Sequence, residues 1–237
     1  MVLCDGPAPP YAVLAHWLED ADCFVCADAA GRPYDRLPRP PDLVIGDFDS
    51  LHRDPSASII EAPDAHVPTG DDQNVGEHPA LVDGLPALHV PEQESTDSEK
   101  ALLWALKNFY AEGVLLGATG ARIDHSFFNV SLLERFATRM ALCIADEYSV
   151  NIRLAPHSYT HWELPTGTGF SVVPLSSPVQ EVSLDGAAYP LHDAPLAPGG
   201  PNAVSNRVVD PPLRVRVGDG SLLLSVSLLR DRDRRWD

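Results

Sequence analysis

Three stretches of the chain set carboxylates beside turn-forming residues. In Pro41-Asp42-Leu43-Val44-Ile45-Gly46-Asp47-Phe48-Asp49-Ser50, an apolar run ends in glycine and delivers Asp47 and Asp49 one residue apart. On an extended segment both side chains point to the same side, so the two carboxylates could reach one magnesium ion. The second stretch is Glu94-Ser95-Thr96-Asp97-Ser98-Glu99-Lys100, and the third is Gly117-Ala118-Thr119-Gly120-Ala121-Arg122-Ile123-Asp124-His125. In the third, a glycine-bearing loop lets backbone N–H groups approach phosphate, and Arg122 is suited to clamp it. Three such clusters, each beside a strand end, predict a magnesium-dependent phosphate site.

Each stretch also has a plainer structural use. Asp and Ser often cap turns. Thr96-Asp97-Ser98-Glu99 is a capping box with Thr96 as N-cap, and Asp97 favours a helix start electrostatically. Asp124 could serve only as an N-cap and His125 as a core histidine. The sequence holds no G-x-x-x-x-G-K-[ST] and no G-x-G-x-x-G, which removes a P-loop and leaves a dinucleotide site unsupported.

The elements that must position these groups read as two different patterns. Residues 1–150 alternate strand and helix: strands at Val2–Cys4, Cys23–Ala27 (ending at Asp28), Leu43–Ile45, Leu88–Val90, Val114–Gly117 and Met140–Ala145. Helices are expected at Tyr11–Leu18, at about 98–111 and at about 125–138. The middle helix carries Ala101, Leu102, Ala105, Leu106 and Phe109 on one stripe and stops near Gly113. This alternation predicts an α/β domain with a mainly parallel sheet. Residues 62–86, rich in Pro, Gly and Asp, read as an exposed excursion. Residues 158–230 show short alternating runs parted by Gly and Pro, the pattern of an all-β sandwich domain. Residues 231–237 form a mixed-charge tail expected to fray.

Composition narrows the partners. The net charge is −17 over 237 residues. It is concentrated in residues 1–150, where 25 Asp and Glu face 9 Lys and Arg, for a net of −16. Such an acidic half argues against nucleic acid and anionic membrane. It suits a cationic ligand, or polyphosphate reached through a divalent metal. Cys23-Phe24-Val25-Cys26 matches C-x-x-C, but on a strand residues three apart face opposite sides, and no second pair completes a zinc site. No signal-peptide pattern and no membrane-length apolar run occurs, so a cytoplasmic protein is expected.

Taken in order, the three motifs resemble those of the thiamine pyrophosphokinase family. That family shows a G-D-F-D-S loop, a T-D segment opening a helix, and G-x-x-G-x-R-x-D-H with a later Asn, here Asn129. Gly186-Ala187-Ala188-Tyr189-Pro190-Leu191, Val204-Ser205-Asn206 and Gly218-Asp219-Gly220-Ser221 are similar to its second domain. The resemblance covers nearly the whole chain. It implies transfer of diphosphate from ATP to the thiamine hydroxyl with release of AMP, and a homodimer with active sites between subunits. It also implies roles. Asp47, Asp49 and Asp97 take the Mg²⁺ and catalytic carboxylate positions, with Arg122 and Asp124 in the catalytic region. Asp28, Ser50, Thr96, Gly120, Arg122 and His125 fall around the nucleotide. Asp124, Asn129, Tyr189, Ser205 and Asn206 fall around thiamine, Ser205 and Asn206 across the dimer. An aromatic such as Tyr189 suits thiamine, a cationic aromatic.

The chain departs from the family's pattern in three places. Ala27-Asp28-Ala29-Ala30 stands where the family has A-D-G-G, Glu94 where Asp is more usual, and the 62–86 connection is longer. Three rivals therefore stay open. They are a diphosphokinase for another hydroxymethyl heterocycle such as a pterin, a phosphohydrolase with Asp47 as nucleophile and Asp71-Asp72 as metal ligands, and a non-catalytic thiamine or nucleotide sensor.

Overall fold

Three early apolar runs, Val2–Leu3 (β1), Val25–Ala27 (β2) and Leu43–Gly46 (β3), are buried along their whole length. That is the mark of parallel strands covered on both faces. In the computed structural model, which describes residues 1–63, 76–200 and 203–228, the chain divides into two units. The first holds Met1–Leu132 and Thr138–Leu142; the second holds Leu133–Ala137 and the chain from Cys143 onward.

The first unit adds strands Ile59–Glu61 (β4), His78–Val82 (β5), Leu85–His89 (β6) and Glu112–Leu116 (β7). Its helices are Tyr11–Glu19 (α1), Asp49–Arg53 (α2), Asp97–Lys107 (α3) and Ile123–Arg135 (α4), the last running into the second unit. The sheet order is β7-β1-β2-β3-β6-β5-β4. β7, β1, β2, β3 and β6 run parallel; β5 and β4 join antiparallel. The chain steps outward from β1 through β2 and β3, then returns to the far side of β1 as β7. Such a reversal opens a crevice at the carboxyl ends of the strands, where open α/β sheets take ligands.

Two expectations need correction. Residues 62–86 are not wholly an excursion: His78–Val82 and Leu85–His89 pair as a hairpin. Its two-residue turn, Asp83-Gly84, has positive φ at both positions (50° and 80°), the turn that matches strand twist. The Asp83 carboxylate fixes it by accepting from Arg32 Nε at 2.8 Å and Ser58 N at 2.9 Å. Residues 64–75, Asp71-Asp72 among them, lie outside the described residues, as does the 231–237 tail. Phe109, expected on the buried stripe of α3, is 92% exposed. The helix ends before it: Phe109 turns to φ 64° and Tyr110 N bonds back to Ala105 O at 3.0 Å, a left-handed helix stop without glycine. Trp104 takes the buried place instead.

The second unit is all-β after its short helical start. Its strands are Ala141–Ala145 (β8, whose first two residues group with the first unit), Ser149–Leu154 (β9), Ser158–Trp162 (β10), Gly169–Pro174 (β11), Val179–Asp185 (β12), Leu191–Leu196 (β13), Ala203–Arg207 (β14), Leu213–Val217 (β15) and Leu222–Ser227 (β16). One sheet runs β14-β11-β16-β9-β8, the other β10-β15-β12-β13. Inward residues of both sheets, among them Leu154, Val172, Leu184, Leu196, Val215 and Leu224, share one buried core. Two antiparallel layers over one apolar core make the expected sandwich. Among the described residues no helix is long and apolar enough to cross a membrane.

Candidate active site

Three carboxylates converge at the carboxyl ends of β2 and β3. Asp28 follows β2, Asp47 follows β3, and Asp97 opens α3; each offers an oxygen within 4.8 Å of the others. Gly46, the last residue of β3, makes the approach possible. A Cβ built there would stand 3.1 Å from Asp97 Oδ1 and 3.2 Å from Asp28 Cα, closer than side chains normally pack. Asp97 Oδ1 also accepts the Asp47 N–H at 3.2 Å, stitching the helix start to the strand end.

The N-cap half of the expected capping box forms, with Thr96 Oγ1 accepting from Glu99 N at 3.3 Å. It fixes the first turn of α3, from which Asp97 and Lys100 project one turn apart. Lys100 is buried, with Nζ 3.1 Å from Asp97 Oδ1 and 3.5 Å from Asp47 Oδ2. Gln93 Nε2 donates to Asp47 Oδ2 at 2.9 Å. Neither Lys100 nor Gln93 was singled out by sequence. Lysine at i+3 from an aspartate reads as an ordinary surface pair until its burial is known.

The cluster does not include Asp49. The pair was expected to share a face on an extended segment, but Phe48 takes φ 63°, ψ 17° and α2 begins at Asp49. The αL residue swings Asp49 onto a helix, where its Oδ2 lies 3.7 Å from Arg53 and its side chain is 61% exposed. Phe48 holds this unusual backbone by burying its ring against His89, 5.0 Å between centroids. In place of Asp49 the structure supplies Asp28, which follows a strand end rather than belonging to the acidic motif. Ser50 contributes its N–H, which donates to Asp28 Oδ2 at 3.2 Å.

Electrostatics divide the three acids. Burial raises the Asp28 carboxyl above its usual range, although Ser50 bonds to it. Burial also raises Asp97, against the pull of Lys100 and with the push of Asp47 and Asp28. For Asp47 burial is outweighed by the Asp49 N–H, Lys100 and Gln93, and its carboxyl falls below the usual range. A fourth acid, Asp5 after β1, went unnoticed in the sequence. Desolvation, then Asp28 and Asp97, push it up to about 6, while His125 acts in the opposite sense. Like charges crowded together disfavour ionisation in this way. Asp28 Oδ1 is buried and has no hydrogen-bond partner among the described residues. An orphaned carboxylate oxygen beside two more carboxylates fits a hard divalent cation such as magnesium.

The third motif borders the same crevice. Gly6 and the Gly117 loop touch main chain to main chain: a Cβ on Gly6 would fall 2.2 Å from Gly117 O. Asn129 is buried and its Nδ2 donates to Ala118 O at 2.8 Å, so it braces the loop. Gly120 N donates to Ser126 Oγ at 3.1 Å. Arg122 grips Asp124 in a two-point pair, Nε to Oδ1 at 3.2 Å and Nη2 to Oδ2; both side chains are exposed. A cavity of about 830 Å³ lies beside the β3 loop, lined in part by Phe48, His52, Ile59, His78, His89 and Pro91.

In the second unit Tyr189, Ser205 and Asn206 gather. Tyr189 is 70% exposed and Asn206 is 1% exposed. Asn206 is spent on the main chain of Tyr189 rather than left open to a ligand. Ser205 has φ 59° and its N–H donates to Ser171 Oγ at 3.0 Å.

Comparison with known proteins bears on both units. Residues 14–144 match the family model described as thiamin pyrophosphokinase, catalytic domain, and residues 152–222 match thiamin pyrophosphokinase, vitamin B1 binding domain. A thiamine pyrophosphokinase of Bacillus subtilis is 30% identical over 127 residues, 52% of this chain and 59% of that protein. Thiamine pyrophosphokinase 1 of Oryza sativa is 25% identical over 245 residues, covering 96% of this chain and 86% of that protein. The crystal structure of thiamin pyrophosphokinase from Geobacillus thermodenitrificans superposes with a TM-score of 0.70 over 97% of each chain, at 23% identity.

Proposed function

The chain belongs to the thiamin pyrophosphokinase family of enzymes, and from that premise we propose that it transfers diphosphate from ATP to thiamine. The thiamine hydroxyl oxygen bonds to the β-phosphorus of ATP, the bond from that phosphorus to the α-phosphate oxygen breaks, and AMP leaves. The hydroxyl proton passes to a base. The observation that carries this reading is the convergence of Asp28, Asp47 and Asp97 at the carboxyl ends of β2 and β3.

These three residues would hold magnesium. Held there, magnesium would supply positive charge against the polyphosphate. The chain's own groups do the rest by position. The Gly117–Gly120 loop, braced by Asn129, would offer main-chain N–H groups to phosphate. Arg122 leaves Asp124 to clamp a phosphate, a bidentate partner exchanged for another. Ser50 and His125 flank the nucleotide, and Asp97 accepts the hydroxyl proton. Tyr189 offers an aromatic face to the cationic thiamine ring, with Ser205 beside it. The enzyme acts as a cytoplasmic homodimer with its sites between subunits and has no nucleic-acid partner, in keeping with its charge of −17.

The test is formation of AMP and thiamine diphosphate from ATP and thiamine with magnesium, against a chelator control. Equimolar, metal-dependent products support the reading. Thiamine binding without AMP would make the protein a sensor, and turnover of a pterin but not thiamine would change the acceptor.

A further inference from the structure

We infer that Lys100 is a built-in counter-cation that positions Asp47 and Asp97 and sets the charge of the carboxylate cluster to match one divalent ion. The inference rests on reading that cluster as a cation site. Lysine is seldom buried without partners, because desolvating an ammonium is costly. Here the whole residue is 3% exposed, and its Nζ lies 3.1 Å from Asp97 Oδ1 and 3.5 Å from Asp47 Oδ2. It thus joins the first turn of α3 to the end of β3. Asp28, the third member, has no such tie; its free oxygen faces no donor among the described residues.

The charge count follows. Counting the three residues whose oxygens lie within reach of one ion, a group that does not include Asp5, the ionised carboxylates bring −3, and Lys100 returns +1. The remainder is neutralised by one divalent cation. With Lys100 neutralised, the cluster would stand at −3, repel itself in the empty protein, and draw cations harder. A positive charge a few ångströms from a bound divalent ion opposes its binding by an amount worth at least about tenfold in affinity. Lys100 therefore lowers affinity in exchange for order: it keeps two of the three carboxylates in place before the ion arrives.

The test compares wild type, Lys100→Met and Lys100→Gln by Mn²⁺ binding, followed by electron paramagnetic resonance, and by the rise in Tm that Mg²⁺ produces. Gln keeps hydrogen-bond donors toward Asp47 and Asp97 without the charge, and it carries the test should the Met variant not fold without cation. Both variants are expected to bind Mn²⁺ about tenfold more tightly than wild type, and to gain more Tm from Mg²⁺. Their kcat falls while their KM for Mg²⁺ falls too. Unchanged Mn²⁺ affinity in both variants would overturn the assignment and leave Lys100 a packing residue; weaker affinity would overturn the charge-matching role and leave Lys100 only a positioning residue. Failure of the wild type itself to bind Mn²⁺ would overturn the cation site and this inference with it, a result distinct from wild-type binding that Lys100 does not alter.

Discussion

Asn206 holds the main chain of Tyr189 from both sides. Its Nδ2 donates to the Tyr189 carbonyl at 2.8 Å and its Oδ1 accepts the Tyr189 N–H at 3.1 Å. The same Oδ1 takes the Arg207 N–H at 2.9 Å. The amide thus mimics one rung of a β ladder, and it is buried while the tyrosine ring stands out in solvent. A large aromatic on a fixed backbone is a pre-ordered contact surface, and pre-ordering lowers the entropy cost of binding.

Asn206→Ala should therefore weaken thiamine binding through Tyr189. Truncation takes the partner from the part-buried Tyr189 N–H and carbonyl, at a cost of about 1 kcal/mol to the fold. Thiamine KM is expected to rise about tenfold, with kcat changed far less, since uniform binding is what is lost. Tyr189→Ala should give a similar KM and no added effect in the double variant. Fully additive effects in steady-state kinetics would show that the two residues act separately.

Thr96 was legible as the cap of α3 because an N-cap is a local signal. The parallel strands were legible from short apolar runs. The place of Asp49 is not legible, because an extended backbone would align it with Asp47, whereas Phe48 adopts a left-handed turn stabilised by burial against His89. No local signal marks a phenylalanine for that conformation. The turn Asp83-Gly84 was available as a hairpin signal but lay hidden among other breakers. Asp5, Gln93 and Lys100 could not be read at all. Their importance comes from strands and a helix meeting across the sheet, which is tertiary information.

Asp28→Asn tests the choice of Asp28 over Asp49 in the cluster. The substitution removes a buried charge from beside two others, so the cation-free protein should melt at a higher temperature than wild type. The gain is bought with a ligand: Mg²⁺ affinity should fall at least about tenfold. Asp49→Asn should leave Mg²⁺ affinity within a few-fold of wild type. The reverse ranking, measured by calorimetric titration, would restore Asp49 as the ligand.

Gly46→Ala asks how tightly the cluster is built. The new methyl would meet Asp97 Oδ1 at 3.1 Å and the Asp28 main chain at 3.2 Å, and the carboxylate is the softer of the two. A shift of a few tenths of an ångström costs little stability. At a centre that works by positioning, it should lower kcat by about 10–100-fold. Wild-type kcat in this variant would mean the carboxylates need no such close approach.

Glu134 gives a pH prediction away from the cluster. In the second unit its carboxylate takes two bonds from Arg153, at 2.6 and 3.0 Å, and one from Ser221 Oγ at 2.7 Å. Arg153 holds the Glu134 carboxyl below its usual range, with Ser221 adding to the effect against partial burial. A carboxyl lowered on folding contributes stability that is complete above its unfolded pKa, about 4.3 for glutamate. That contribution disappears as the pH falls through the folded value. Glu134 is 44% exposed, so solvent screening limits the charge effect to about 1 kcal/mol even with two-point geometry. Glu134→Gln should lower the free energy of unfolding, measured by urea titration at neutral pH, by that amount, and the two proteins should converge once the wild-type Glu134 carboxyl is protonated. An equal difference at neutral and strongly acid pH would assign the loss to shape and hydrogen bonding rather than to charge.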